Sequence, residues 1–250
     1  DADNLVTDYT VSGTYGTFTV AADGAYTYTL HANWVDIYNT NNATGIDYGS
    51  TKTYTLEDFN YTLNDGDADS NDAKITFEKT FNELPDPTAT PTAVTVTEDA
   101  PLDAGNTISD DNAIIVNSPN GEIVSVVYAG TFTTNAPALL SNGSPVKVNA
   151  TTNGIVGRDA SGTTVFDVVI TKVGGSFEYT YTQYSPLDHQ EGGVSDDTMR
   201  IDFDITATDE FGLTVDSVIS ANVVDDNPVA IVDADELSAT ESSAIGNVRD

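Results

Sequence analysis

A cluster of carboxylates in residues 65–72, DGDADSND, is the stretch of this 250-residue sequence best suited to binding a cation. Calcium (Ca²⁺) takes about six to eight oxygen ligands, which short aspartate side chains and the carbonyls of a tight turn supply together. The stretch is not an EF-hand loop, which has glycine at its sixth position and glutamate at its twelfth, because Ser70 and Thr76 occupy those positions. A solvated acidic turn is the alternative. The expected calcium ligands are Asp65, Asp67, Asp69 and Asp72.

The composition of the chain favours divalent cations as partners. There are 40 Asp and Glu residues against 8 Lys and Arg residues, a formal net charge of −32. Nucleic acids and anionic membranes bind to basic surfaces, so we expect neither nucleic-acid binding nor insertion into a membrane. Hydrophobic residues still make up 39 % of the chain, with 12 Tyr and 9 Phe. That share predicts a folded core rather than a disordered acidic tail.

Cysteine is absent from the chain, so neither disulfides nor thiolate metal sites stabilise the fold. An extracellular protein without disulfides needs another stabilising element, and calcium outside cells is abundant enough to provide it. The first residues do not resemble a signal peptide, and no run approaches the roughly 18 apolar residues of a membrane span. The sequence therefore reads as a soluble piece of a longer protein.

The elements that must position these carboxylates are strands. Most of the chain alternates β-branched or aromatic residues with polar ones, which is the period-2 pattern of half-buried strands. Turn signals rich in glycine and asparagine separate the runs, and helical spacing is not sustained anywhere. Many short strands of this kind predict an all-β sandwich. The clearest candidate strands are residues 17–20, 25–30, 74–77, 122–128, 165–170, 177–181 and 199–205.

Two parts of the sequence repeat each other. Residues 59–65, FNYTLND, match residues 203–209, FDITATD, at a shift of 144, and three further matches follow the same order. Acidic segments that contain proline, 85–91 and 225–228, join the repeated parts and predict semi-rigid connectors. We expect a β-sandwich module in residues 1–86, a complete repeat in 87–228, and the start of the next repeat or a linker in 229–250.

Several segments resemble a known family. Val124–Gly130, Pro186–His189, Ile201–Asp209 and Val224–Ala230 are similar to the roughly 143-residue tandem repeat of giant surface proteins exported by type I secretion. Gly16–Tyr28 resembles the related VCBS-type repeat. The resemblance implies a fragment of a large RTX-type adhesin on the surface of a Gram-negative bacterium. It also implies Ig-like or cadherin-like modules that bind Ca²⁺, act as monomeric extenders and contact neighbouring repeats of the same chain.

The predicted linkers carry a second set of candidate ligands. In calcium-stabilised tandem sandwiches, ligands converge from the linker, the base of one module and the top of the next. An exposed acidic linker without an ion is the alternative. The family's acidic turn commonly reads D-x-D-G-D, whereas residues 209–212 read DEFG, so we expect a weaker site or none there. The additional candidate ligands are Asp86, Glu98, Asp99, Asp209, Asp225, Asp226, Asn227, Asp233 and Asp235.

Catalysis is not expected. His31 and His189 are the two histidines of the chain, and no nucleophile elbow, phosphate loop or HExxH motif occurs. Paired carboxylates suit glycoside hydrolysis, but 40 acidic residues place pairs at such separations by chance. We expect His189, within the PLDH stretch, to close a turn or to donate a hydrogen bond to a carbonyl.

Residues 31–42 interrupt the strand pattern and suggest an alternative function. This stretch places Trp34, the only tryptophan, near Tyr38 and several asparagines, a combination that a carbohydrate- or peptide-binding surface uses. The structural interpretation is a long hairpin insertion with Trp34 packed on the edge of the sandwich. A further hypothesis is that residues 229–250 complete the first module.

Overall fold

The computed structural model describes residues 9–21, 23–62, 72–98, 106–189 and 197–225. Strands dominate these ranges and one short helix is present, which confirms the predicted all-β fold of the sandwich type. The described residues form two compact units. The first contains the residues up to Pro87 together with Ser118–Gly121 and Asp209–Leu213, and the second contains the others.

In its described part, the first unit contains β1 (Tyr9–Ser12), β2 (Gly16–Val20), β3 (Tyr26–Leu30), α1 (Trp34–Asn41), β4 (Lys52–Tyr61) and β5 (Ala73–Phe81). Strands β1, β2 and β3 form an antiparallel sheet, and β4 pairs with β5 in a long antiparallel hairpin. Aromatic rings from both groups of strands pack together. Phe18 of β2 stacks on Phe59 of β4, with ring centroids 4.9 Å apart, and Tyr28 of β3 stacks on Phe77 of β5 at 4.1 Å.

The second unit contains β6 (Thr88–Thr90), β7 (Thr92–Thr97), β8 (Ile108–Asn117), β9 (Ile123–Thr134), β10 (Leu140–Ser141), β11 (Ser144–Pro145), β12 (Lys147–Thr151), β13 (Gly154–Arg158), β14 (Thr164–Val173), β15 (Ser176–Gln183), β16 (Thr198–Asp209) and β17 (Thr214–Val224). A six-stranded sheet has the order β12-β13-β14-β15-β8-β6, and a four-stranded sheet has the order β7-β17-β16-β9.

The core of the second unit lies between its six-stranded and four-stranded sheets. In β16 every second residue from Met199 to Ala207 is buried, as the period-2 pattern predicts. The rings of Phe166 in β14 and Phe203 in β16 are both fully buried, and their centroids lie 5.9 Å apart. Contacts of this kind between the inner faces of two sheets define a β-sandwich.

Within the four-stranded sheet, the first strand in chain order, β7, runs in the same direction as the last strand in chain order, β17. Strand β7 pairs with β17 in parallel, so Thr92 lies opposite Ile219 and Thr97 lies opposite Val224. Parallel neighbours begin at the same end of a sheet and finish at the other. The chain therefore enters β7 at one end of this ladder and leaves β17 at the opposite end.

A β-bulge in β4 changes which side chains of this strand face the core of the first unit. The pairing register with β5 shifts between Thr55 and Glu57. Tyr54, before the shift, and Leu56, within it, are buried, whereas Glu57 and Phe59 are the more buried residues after it. A bulge inserts one extra residue and so reverses the alternation of faces. It brings a carboxylate to the inner side of the strand.

Glu57 uses that position to hold the loop between β1 and β2. Its carboxylate accepts hydrogen bonds from the backbone amides of Thr14, Tyr15 and Gly16, at 2.8, 3.1 and 3.0 Å. It also accepts a hydrogen bond from the hydroxyl of Tyr28. Burial, followed by the hydrogen bond to Glu57 and its negative charge, raises the pKa of Tyr28, so the tyrosine remains a donor.

Helix α1 was not expected from the sequence. Its residues Trp34, Val35, Ile37 and Tyr38 are half-buried, whereas Asp36 is exposed, which is the one-sided spacing of an amphipathic helix. The side chain of the N-cap residue does not cap the helix. Helix formation here follows from aromatic packing on one face rather than from intrinsic propensity. A short helix therefore replaces the expected hairpin insertion.

The sequence repeat corresponds to similar hairpins in the structure. Phe59 lies in β4 and pairs with Ile75 of β5, and Phe203 lies in β16 and pairs with Ile219 of β17. Residues 59–61 and 203–209 of the matched segments thus lie in the first strand of an antiparallel pair. Membership of a particular repeat family stays a prediction.

Candidate metal centre

Three side chains of the second unit converge at the end of its parallel strand pair. Glu98 directly follows β7 and Asp225 directly follows β17, and the amide of Glu98 donates to the carbonyl of Val224 at 2.9 Å. The third side chain, His189, lies in the segment after β15. One ligand atom from each of the three lies within 4.8 Å of the other two. The parallel register explains why residues distant in sequence meet here.

The carboxylate of Glu98 is buried and fixed in position. Its side chain is 6 % exposed, and its Oε1 atom accepts a hydrogen bond from the amide of Leu187 at 2.8 Å. The same oxygen accepts a hydrogen bond from the amide group of Gln183, a residue that is fully buried. These donors engage Oε1, while Oε2 lies 3.5 Å from Nε2 of His189.

Across the described ranges, the structure does not show the hydrogen bond from His189 to a carbonyl that the sequence suggested. Its ring is 6 % exposed, and within the described residues neither ring nitrogen has a hydrogen-bond partner. Burial lowers the pKa of His189, but the nearby carboxylate of Glu98 and the charges of Asp225 and Asp197 outweigh it and raise the pKa overall. When the imidazole is protonated, its contact with Glu98 is an ion pair, which offsets part of the cost of burying a ring without hydrogen bonds.

The three side chains fit calcium poorly. Ca²⁺ prefers about six to eight hard oxygen ligands, whereas this group supplies two carboxylates and an imidazole nitrogen. Imidazole suits zinc, copper, iron and nickel. Ligand atoms at about 2.0–2.1 Å from a tetrahedral zinc ion lie about 3.4 Å apart, and the distance from Glu98 Oε2 to His189 Nε2 is 3.5 Å.

Of the predicted ligands in the described ranges, the structure brings Glu98 and Asp225 together. Asp72 and Asp86 are exposed residues that lie before β5 and before β6 respectively. Apart from Asp209, the remaining predicted ligands lie outside the described residues. These are Asp65, Asp67, Asp69, Asp99, Asp226, Asn227, Asp233 and Asp235. Calcium binding by them stays a prediction.

His189 was missed as a candidate ligand, although the sequence contains a signal for it. Val94, Val96 and Glu98 are spaced by two, so a strand places all three on the same face, and all three are buried. A carboxylate on an inward face needs a partner. The chain has only ten Lys, Arg and His residues with which to provide a cationic one.

Asp209, the predicted weaker calcium ligand, has hydrogen-bond donors on both oxygens. Its Oδ1 atom accepts from the amides of Phe211 and Leu213 at 2.9 and 3.0 Å. Its Oδ2 atom accepts from the hydroxyl of Ser118 at 2.8 Å. Burial raises the pKa of Asp209, but these hydrogen bonds outweigh burial and lower the pKa below its usual value. Its carboxylate is thus stabilised by the protein alone.

Trp34 and Tyr38, the residues of the alternative ligand site, pack within the first unit. The ring centroid of Trp34 lies 5.6 Å from that of Phe81. Tyr38 contacts Tyr15 at 5.6 Å and Tyr54 at 5.4 Å. Both aromatic residues are half-buried. Their contacts account for the position of α1, and ligand binding by this helix stays a prediction.

Comparison with known proteins found no matching family model and no matching curated protein. In the described part of the chain, no helix has the length and apolar character needed to cross a membrane.

Proposed function

We propose that this chain is a non-catalytic structural segment of a bacterial cell-surface adhesin, stabilised by calcium, that holds ligand-binding domains away from the cell. Its neighbours would be further repeats of the same polypeptide, and its location would be extracellular. The proposal rests mainly on the parallel pairing of β7 with β17.

This pairing suits a spacer because it separates the two chain ends of a unit. The chain enters β7 beside Ile219 and leaves β17 after Val224, at the other end of the ladder. The six residues of β7 span about 20 Å at about 3.3 Å per residue. A tandem array of units with this connectivity becomes longer with each added unit. An array of units whose two chain ends lie together does not.

Calcium supplies the stabilisation that this charge pattern requires. The formal net charge is −32, and carboxylates about 4 Å apart near a surface repel by up to about 4 kcal/mol. A divalent ion between them reverses the sign of that interaction. At a free calcium concentration about ten times Kd, each site adds about 1.4 kcal/mol of stability.

Thermal unfolding of the full chain, in millimolar calcium and in a calcium chelator, tests the proposal. We expect calcium to raise Tm by about 3–6 °C per occupied site. Sodium chloride at matched ionic strength is the control, because it screens charge without binding specifically. An identical Tm in chelator and in calcium would contradict the proposal, as would an equal rise in the salt control.

Small-angle X-ray scattering under the same conditions tests the spacer role. We expect a larger maximum dimension in calcium, because bound ions restrain acidic linkers in an extended arrangement. Identical scattering curves with and without chelator would contradict calcium-dependent stiffening.

A further inference from the structure

We infer that Glu98, His189 and Asp225 form a binding site for a transition-metal cation of the zinc class, in place of the calcium that the sequence predicts for Glu98 and Asp225. This inference depends on the local geometry of the second unit and not on the proposed spacer function.

The first observation is the environment of His189. Its imidazole is more than nine-tenths buried, and its two nitrogens have no hydrogen-bond partner within the described residues. Nε2 lies on the side of Glu98 Oε2, at 3.5 Å. A bound cation would occupy the lone pair of one ring nitrogen and so remove part of the cost of burying the imidazole.

The second observation is that Glu98 is already oriented for such a role. Leu187 and Gln183 donate to Oε1, which leaves Oε2 for a cation. Hydrogen bonds to the non-coordinating atoms of a ligand fix its orientation and strengthen metal binding. The parallel register of β7 and β17 places Asp225 beside Glu98. The carboxylate is thus held in position by contacts that require no metal.

The ligand set determines the class of cation. One imidazole and two carboxylates match the mixed nitrogen and oxygen sets of zinc, in which three protein ligands leave a fourth position for water. Calcium and magnesium favour oxygen ligands throughout. The chain contains no cysteine and two histidines, so His189 is the feature that separates this site from the acidic surface.

The main competing effect is non-specific attraction, since a chain with net charge −32 attracts any divalent cation. The test therefore uses millimolar calcium throughout, which occupies exposed carboxylates. Zinc is titrated into the full chain by calorimetry. We expect one zinc ion to bind to the wild-type chain with calcium present.

His189→Gln is the test variant, and His31→Gln is its matched control. His31 is half-buried, and its Nε2 lies 3.3 Å from the carbonyl of Gly13. We expect His189→Gln to weaken zinc binding by at least about tenfold, and His31→Gln to leave it unchanged. Equal zinc affinity in the wild type and in His189→Gln would overturn the inference, as would displacement of the zinc by calcium.

A second measurement needs no variant and is unaffected if His189→Gln fails to fold. The imidazole resonances of the two histidines are recorded by NMR on the wild-type chain. We expect zinc to shift the resonances of His189 and not those of His31, and calcium to shift neither. Resonances of His189 that do not respond to zinc would overturn the inference, whatever calcium does to Tm.

Discussion

Asp159 and Asp209 close two hairpin turns of the same construction. In each turn the aspartate amide donates to the carbonyl four residues later, in Thr163 at 3.0 Å and in Leu213 at 2.9 Å. In each, Oδ1 of the aspartate accepts from the amides two and four residues later, and glycine follows at the third position with positive φ. Acidic residues at such turns therefore satisfy the backbone of the turn, and acidity alone does not indicate a metal site.

The two turns differ in burial, which predicts different sensitivities to substitution. Asp209 is 1 % exposed and also accepts from Ser118, whereas Asp159 is only half-buried. We expect Asp209→Ala to destabilise its unit by about 1–3 kcal/mol, because it leaves buried donors without an acceptor. Asp159→Ala should have a smaller effect, because water replaces the lost acceptor. Urea denaturation of both variants measures the difference, and equal effects would contradict this explanation.

Asp209 should also contribute to sensitivity to acid. Its pKa is lowered in the folded chain, so below the unfolded value of about 3.9 the unfolded state binds more protons. Its contribution to stability is fully present above that pH and is lost as the pH falls through the lower folded pKa. Urea midpoints from about pH 6 to about pH 2 should therefore fall less steeply for Asp209→Asn than for the wild type. Parallel curves would exclude Asp209 as a source of acid sensitivity.

Glu57 should be more sensitive to substitution than the exposed carboxylates described in the first unit. Replacement by alanine removes the acceptor of three backbone amides and of the Tyr28 hydroxyl, and we expect a loss of about 2–3 kcal/mol. Glu78, an exposed residue of β5 that accepts from Thr55 at 3.2 Å, is the matched control. Glu78→Ala should change stability by less than about 0.5 kcal/mol.

Tryptophan fluorescence reports this effect locally, because Trp34 is the only tryptophan and lies in the first unit. If Glu57→Ala and Glu78→Ala shifted the fluorescence midpoint equally, the bulge would not be the feature that secures the loop between β1 and β2.

Substitutions at Gly154 and Gly162 allow the energetic cost of a steric conflict to be compared with the cost of backbone strain. Gly154 has φ of 152°, and a Cβ atom there would lie 1.9 Å from the backbone oxygen of Val168. Gly162 also has positive φ, at 90°, but a Cβ atom would meet nothing within 4 Å. We expect Gly162→Ala to cost about 1–2 kcal/mol from strain alone, and Gly154→Ala to cost more because β13 must move away from β14. Thermal unfolding of the two variants compares these costs, and a smaller loss for Gly154→Ala would contradict the expectation.

The period-2 pattern predicted the strands because burial follows it directly, as in β16 from Met199 to Ala207. Helix α1 was missed because its eight residues are too few for a sustained period and its stabilisation comes from distant rings such as Phe81. The role of Glu57 was missed for a different reason. Its inward position depends on a bulge that changes the alternation within β4, and the local sequence does not specify that bulge.

In the candidate metal centre, too, some residues were predicted from the sequence and one was missed. Glu98 and Asp225 were identified because both are acidic residues at or near a predicted joint, and in the structure each directly follows a strand. His189 was not, because its approach to Glu98 depends on the path of the segment after β15, through the contact of Leu187 with Glu98. Residues placed by strand register are thus accessible to sequence reasoning, and residues placed by loop paths are much less so.

The pairing of β7 with β17 also determines how the second unit carries a mechanical load. A force that pulls the two chain ends apart draws β7 and β17 in opposite directions along their own length. This shear acts on all six register pairs between Thr92 and Thr97 at once, whereas peeling would break them one after another. The activation barrier to mechanical unfolding of this unit should therefore be high. That barrier is a property distinct from the equilibrium free energy of unfolding.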